Sequence, residues 1–340
     1  MTSSVILVVF MAYTVAVIAT GLMRRYALQR NLLDVPNLRS SHLSPTPRGG
    51  GVAIVVAFFV AALLLAFLGL MDMKILRVLL IGGSAMSIVG YLDDRWRMRA
   101  SVRFGVHSAA ALCAVIILGG VTQGALANWG LHGVLVGGAI AFLILVWTSN
   151  LFNFMDGLDA IAGSEAAFVS GAGAWLNWHQ GGDLGLTATM ACLAGACLGF
   201  LHWNWPPARI FMGDAGSGFL GFSLAVLGLA ASQKGMIPIE AWAILGGVFF
   251  VDATVTLIRR IIRGEKWFDA HRTHAYQHLA RRWHAHLPVT ILIMSINAFW
   301  LLPMAILAAR YPSHVLGFFV AALGPLIVFA VICGAGKGEE

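Results

Sequence analysis

The chemistry this sequence can do is carried by five aspartates in three separate stretches. Asp93 and Asp94 are adjacent. Asp156 and Asp159 end the series Asn150, Asn153, Asp156, Asp159, and Asp214 lies in the run Phe211-Met-Gly-Asp214-Ala-Gly216-Ser-Gly218. Adjacent carboxylates raise one another's pKa unless a cation or strong donors stand between them. Asp93-Asp94 therefore reads either as a metal or general-base pair or as a solvated turn balanced by Arg95 and Arg97. Helical residues three apart sit about 60° round from one another and share a face, so Asn150, Asn153, Asp156 and Asp159 are expected to converge. Gly157 would let the backbone bend there. A polar helix end with Asn and Asp as caps is the competing reading. An Asp in a glycine-rich turn before an apolar helix can face a divalent cation while free helix N–H groups face phosphate. Such turns also occur as plain connections.

A basic stretch complements these carboxylates. Asp269-Ala-His271-Arg272-Thr-His274-Ala-Tyr-Gln-His278 is flanked by Arg259, Arg260, Arg263, Lys266, Arg281 and Arg282. The spacing i, i+3, i+7 would align His271, His274 and His278 on one helical face. Histidine pairs suit zinc, but the surrounding cations disfavour a dication and favour an anion such as a pyrophosphate or a lipid phosphate. A positive anchor on lipid headgroups is the alternative. His284 and His286 read as ordinary interfacial residues. The segment from Asp34 to Gly51, with Arg39, His42 and Arg48, reads as an anion-binding loop or a plain connection. Taken together, carboxylates beside cations match the magnesium arrangement of one or two protein carboxylates plus substrate phosphates. The reaction class is phosphoryl or phosphosugar transfer to a lipid.

The elements that must position these residues are membrane helices. Of 340 residues only 11% are charged and 59% are hydrophobic, and mean hydropathy is +0.83. A soluble globule could not cover its surface with so few charges, and disorder, a coiled coil and a secreted disulfide scaffold are excluded on the same grounds. Windows of about 20 apolar residues fall at 5–23, 52–70, 75–92, 104–121, 133–152, 160–178, 184–203, 218–232, 238–258, 288–309 and 315–333. The expected fold is an all-α polytopic membrane protein with about 11 transmembrane helices, forming a single integral-membrane domain over 1–340. One side holds the segments 24–51, 93–103, 153–159, 204–217 and 259–287 and the C-terminal tail, with 18 Lys and Arg against 4 on the other. That bias puts the N-terminus outside and the C-terminus in the cytoplasm. All five aspartates then face the cytoplasm. The first run lacks a basic n-region and reads as a retained helix. The cysteines (Cys113, Cys192, Cys197, Cys333) read as buried hydrophobes, and small-residue spans permit a homodimer.

The ordered set Asp93-Asp94, Asn150-x-x-Asn153-x-x-Asp156-Gly-x-Asp159, Phe211-Met-Gly-Asp214-x-Gly-Ser, Asp252 followed by Arg259-Arg260, and Arg272-x-His274 resembles the polyprenyl-phosphate N-acetylhexosamine-1-phosphate transferases. The Pro36-Asn37-x-Arg39 and Pro45-Thr-Pro47-Arg48-Gly-Gly-Gly segments resemble the branch that starts O-antigen or related surface glycans. The resemblance implies transfer of a sugar-1-phosphate from a UDP-N-acetylhexosamine to undecaprenyl phosphate in the bacterial inner membrane. UMP is released, and Mg²⁺ or Mn²⁺ serves as cofactor. No nucleic acid is implied. By position, Asp214 matches the metal ligand and Asp94 its neighbour at the metal–phosphate site. Asp93 resembles the carboxylate that positions or deprotonates the lipid phosphate. Asn153, Asp156 and Asp159 match the nucleotide network, and Arg272 and His274 the contacts to the donor's phosphate and sugar end. The expected site thus has Asp93, Asp94, Asp156, Asp159 and His274 as catalytic groups, and Asn150, Asn153, Arg48, Arg272 and His278 as substrate contacts. Two departures stand out. Many relatives carry His-x-His-His where this chain has His274-Ala-Tyr276-Gln277, and Ala160 replaces a common glycine, a change expected to be minor.

A transporter or flippase for an anionic substrate is the competing class, with Glu165 as the mid-span acid and Asp252 near a helix end. The charge bias makes a direct prediction about topology. A reporter fused after Arg282 should report cytoplasm and one after Lys234 the outside; the reverse pair would overturn the orientation.

Overall fold

The computed structural model describes residues 3–36, 44–121, 129–265 and 271–338. Asn37, Arg39, His42, Lys266 and Asp269 of the sequence motifs lie outside the described residues. The chain is helical almost throughout. α1 is Ser3–Gln29, followed by a short antiparallel ribbon of β1 (Leu33–Asp34) and β2 (Thr46–Pro47), then α2 (Gly51–Phe67). α3 (Met73–Val78) runs through a π turn at Leu79–Gly83 into α4 (Ser84–Trp96) as one 24-residue apolar rod. Next come α5 (Ala100–Leu118), α6 (Gly130–Met155), α7 (Ile161–His179), α8 (Leu184–Asn204) and α9 (Asp214–Gln233). α10 (Ile239–Leu245) and α11 (Gly247–Ile262) precede the short α12 (Ala275–Trp283). α13 (Leu287–Ile296) continues through a second π turn into α14 (Leu302–Arg310), and α15 (Val315–Ile332) follows.

Each apolar window read from the sequence contains a helix, though residues 68–70 and 119–121 fall outside it. Among the described residues, eight helices have the length and apolarity to cross a membrane, or nine if the α10–α11 pair counts as one span. Two expectations need correction. The window 238–258 is not a straight rod: α10 and α11 meet at Gly246 with a bend of 86°. The short window 218–232 is a full 20-residue helix, because it begins at Asp214 rather than after the glycine-rich run.

α9 is the core of the molecule, enclosed by α2, α4 and α6. A Cβ on Gly51 would lie 2.3 Å from the Gly216 Cα, and one on Gly90 would lie 2.3 Å from the Asp214 carbonyl oxygen. Bare backbones therefore bring the starts of α2 and α9 and the end of α4 into contact. At the far end of α9, Lys234 Nζ reaches Asp183 Oδ2 at 3.2 Å and Asp72 Oδ2 at 3.7 Å. Those residues come from three loops assigned to one side. Asp72 and Asp183 also cap the helices that follow them, accepting from the backbone N–H groups of Lys74 and Leu186.

Ala160 is not the minor replacement expected. It holds φ +63°, and its N–H donates to Asn204 Oδ1 at 2.9 Å. For an alanine that left-handed conformation costs roughly 1–2 kcal/mol.

The close approach at Gly90 is testable. Gly90→Val should lower the melting temperature in detergent by an amount corresponding to about 1–3 kcal/mol of overpacking. Gly105→Val, where a Cβ meets nothing within 4 Å, should leave it nearly unchanged. Equal effects at both positions would contradict the packing.

Candidate functional site

The start of α9 sits in a knot of opposite charges. Arg48 follows β2 and is held by backbone pairing to the segment before α9. Phe211 N donates to Pro47 O at 2.8 Å, Gly50 N to Phe211 O at 2.9 Å and Gly51 N to Met212 O at 2.8 Å. This fixes the guanidinium between two acids. Arg48 Nη2 lies 2.8 Å from Asp214 Oδ1 and 2.9 Å from Asp94 Oδ1. Asp94, on the last turn of α4, also accepts from the N–H groups of Asp214 (3.1 Å) and Ala215 (3.4 Å). It thereby satisfies unpaired donors at the positive end of α9. Arg103 on α5 closes the knot: its Nη1 pairs with Asp93 Oδ2 and lies 3.4 Å from Asp214 Oδ2. Met98 N donates to Asp93 Oδ1 at 2.6 Å. Arg103 was missed in the sequence, since nothing in the spacing sets it apart from Arg95, Arg97 or Arg99.

This knot borders a cleft of about 750 Å³, within the range of small-molecule sites. Asp34, Asp156 and Asp214 line it, as do Arg48, Arg97, Arg272 and Arg281. Asn153 also faces it and donates to Ser217 Oγ on α9 at 3.2 Å. Burial, with the like charges of Asp214 and Asp94 beside it, lifts the Asp156 carboxyl to about 7, against the pull of Arg48. Carboxylates of Asp93, Asp94, Asp156 and Asp214 thus share two guanidiniums. Hard oxygen donors with excess negative charge fit a divalent cation. Among the described residues no group of three or more His, Cys, Asp or Glu could hold a metal, so a cation here would draw its remaining ligands from substrate or water.

The sequence motifs do not all converge as expected. α6 ends at Met155, so the spacing of three does not continue as helix through Asp159. Asn150 turns back to the Val146 carbonyl at 2.7 Å and does not line the cleft. Asp159 lines it, but its oxygens accept from Ala208 N at 3.0 Å and meet His286 Nδ1 at 3.2 Å, tying two loops together. His284 and His286, read as interfacial, are cleft residues. The three histidines share no helical face: His271 precedes α12, His274 caps it, and only His278 lies within it. His274 is 3% exposed and stacks on His271 at 4.9 Å. Burial, with His274 and Arg260 adjacent, drives His271 down to about 3. Neither His274 nor His278 lines the cleft. Asp252 on α11 anchors the start of α12, accepting from Ala275 N at 2.9 Å and Tyr276 N at 3.0 Å. Tyr276 Oη then donates to the Phe154 carbonyl at 3.0 Å, beside Gly157, where a Cβ would collide with that hydroxyl. Arg272 is thereby carried to the cleft. Glu165 is fully buried and accepts from Asn297 Nδ2 at 2.5 Å, away from the cleft.

Comparison with known proteins gives concordant similarities. Residues 76–232 match the family described as Glycosyl transferase family 4. The chain is 30% identical over 312 residues to the decaprenyl-phosphate N-acetylglucosaminephosphotransferase of Mycobacterium tuberculosis, covering 81% of this chain and 75% of that one. It is 29% identical over 272 residues to a probable undecaprenyl-phosphate N-acetylglucosaminyl 1-phosphate transferase of Bacillus subtilis (77% and 73% covered). A phospho-N-acetylmuramoyl-pentapeptide-transferase of Halalkalibacterium halodurans is 29% identical over 255 residues, with 70% and 76% covered.

The raised Asp156 sets a pH dependence of stability. The unfolded carboxyl titrates near 3.8 and the folded one near 7. Between those values the native state binds the extra proton, so stability falls as pH rises through the window. In metal-free buffer, Asp156→Asn should melt above the wild type at pH 8, with the difference shrinking toward pH 4. A difference independent of pH would contradict the upward shift at Asp156.

Proposed function

The chain belongs to glycosyl transferase family 4, among its polyprenyl-phosphate N-acetylhexosamine-1-phosphate transferases, and on that premise we propose that it moves N-acetylhexosamine-1-phosphate from a UDP-sugar to undecaprenyl phosphate. The observation that carries this reading is the cleft itself. Asp214 and Arg48 line one flank, with Asp94 paired to Arg48 beside them, and Arg272 and Arg281 are among the lining cations. A nucleotide diphosphate needs that combination: cations for its phosphate oxygens and carboxylates for an accompanying metal.

The reaction is a displacement at the sugar-bearing phosphorus of the donor. An oxygen of the lipid phosphate forms the new P–O bond, and the bond to UMP breaks with its electron pair leaving on UMP. Near pH 7 the lipid phosphate is largely ionised, so positioning matters more than proton removal. Asp214 and Asp94 would hold Mg²⁺ or Mn²⁺, which when bound supplies charge neutralisation at the diphosphate. Arg272 and Arg281 hold phosphate oxygens, and Arg48 keeps the two metal-binding carboxylates aligned. Direct attack is favoured over an aspartyl-phosphate route through Asp93. Asp93 is tied to Met98 N and Arg103 outside the cleft lining, whereas Asp214 reaches the lining itself. The Lys and Arg bias supports a cleft on the cytoplasmic side of the inner membrane, where soluble nucleotide sugars are. The product starts a lipid-linked surface glycan such as O-antigen.

Membranes carrying the protein, supplied with undecaprenyl phosphate, Mg²⁺ and labelled UDP-N-acetylhexosamines, should release UMP only when the lipid is present. Asp214→Ala should cut that release at least ~100-fold, the scale of losing one preorganised charge contact, while the protein stays in the membrane. Substrate movement without UMP would instead support a transporter.

A further inference from the structure

The basic cluster on α11 does not face the cleft. Arg260 Nη1 pairs with Glu265 Oε2 at 2.8 Å. Arg259 Nη1 donates to the Ala335 carbonyl, and Arg263 Nη1 to the Gly336 carbonyl at 2.6 Å. These two arginines, one helical turn apart, grip the turn that follows α15. That places their charge at the negative end of the α15 dipole and gives charge-assisted hydrogen bonds to carbonyls. Cys333 to Gly336 are buried, whereas Lys337 and Gly338 are exposed. The grip is close: Gly336 holds φ +68°, and a Cβ there would lie 2.8 Å from Arg259 Cβ and 3.1 Å from the Thr256 carbonyl oxygen. Only a glycine suits both constraints.

What the turn holds in its own right is the loop before α12. Gly336 N donates to the Thr273 carbonyl at 2.7 Å. Thr273 is the residue between Arg272, which lines the cleft, and His274, which caps α12. Gly334 meanwhile packs against the His278 ring, a Cβ there falling 3.4 Å from it. The segment that follows Arg272 is therefore held by two anchors. Asp252 holds the N–H groups of Ala275 and Tyr276, and the C-terminal turn holds the carbonyl of Thr273.

We propose that Arg259, Arg263 and Gly336 are positioning residues that set the place of Arg272 in the cleft through the C-terminal turn. This rests on the reading of Arg272 as a donor-phosphate contact. Displacement of a substrate-holding group by about 1 Å costs on the order of 100-fold in rate when it acts at the reacting centre. Loss of one of two anchors should cost less, and should fall on donor binding.

The test compares wild type with Arg259→Gln, Arg263→Gln and Gly336→Val, and with Arg263→Lys as the conservative rescue. Hydrogen exchange of the 271–278 amides needs no substrate, and should quicken in the three disruptive variants and recover toward wild type in Arg263→Lys. In the UMP-release assay, KM for the UDP-sugar should rise about tenfold, with KM for undecaprenyl phosphate nearly unchanged. Unchanged exchange at 271–278 overturns the proposal. So does a lowered melting temperature with the donor KM of the folded enzyme intact. If wild type itself releases no UMP, the transferase reading fails separately, and the exchange result alone decides whether the turn anchors this loop.

Discussion

The site depends on one electrostatic constraint: carboxylates buried together must be offset by fixed cations. Asp94 and Asp214 come within reach of the same guanidinium, and Asp93 and Asp214 share a second. Without Arg48 and Arg103 the group would be a set of uncompensated buried charges, among the costliest features a fold can carry. Much of the local architecture serves that compensation. The ribbon β1–β2 and the pairing of residues 47–51 with 211–212 deliver Arg48. The bare surfaces of Gly51, Gly90 and Gly216 let three helix ends meet around Asp214. Compensation is incomplete, as the elevated Asp156 records. An incompletely neutralised acidic site next to cleft arginines is suited to a substrate that arrives with both phosphate and a cation.

The helices were legible because hydropathy alone specifies an apolar run of span length, and every window recovered a helix. The bend at Gly246 was not legible, since a glycine in an apolar run gives the same hydropathy signal whether the helix bends or continues. Within the site, Asp94, Asp156, Asp214 and Asn153 stood out by residue type and spacing and Arg272 by the family resemblance, and the structure brings them to one cleft or its border. Extrapolating helical periodicity beyond Met155 failed, because Asp156 ends α6 and the chain turns. The same assumption failed for His271, His274 and His278. Arg103 and Asp34 were invisible for a different reason: their roles come from contacts across the fold, and local sequence carries no mark of them.

Arginines identical in type have separate tasks here, and net charge does not sort them. Arg48 and Arg103 balance buried acids, Arg272 and Arg281 face the cleft, and Arg259 and Arg263 bind carbonyls of the turn after α15. The arginines of this face thus compensate buried acids, line the cleft and bind backbone carbonyls. Glu165 with Asn297 is a separate buried pair, set in the helix core away from this face.

The most direct test of the central claim is an experimental structure of the protein with a UDP-N-acetylhexosamine and Mg²⁺ bound. The account requires the cation on Asp214 with the diphosphate against it, and Arg272 within hydrogen-bond distance of a phosphate oxygen. A diphosphate seated elsewhere, with Asp214 and Asp94 still closed on Arg48 and no metal between them, would contradict it.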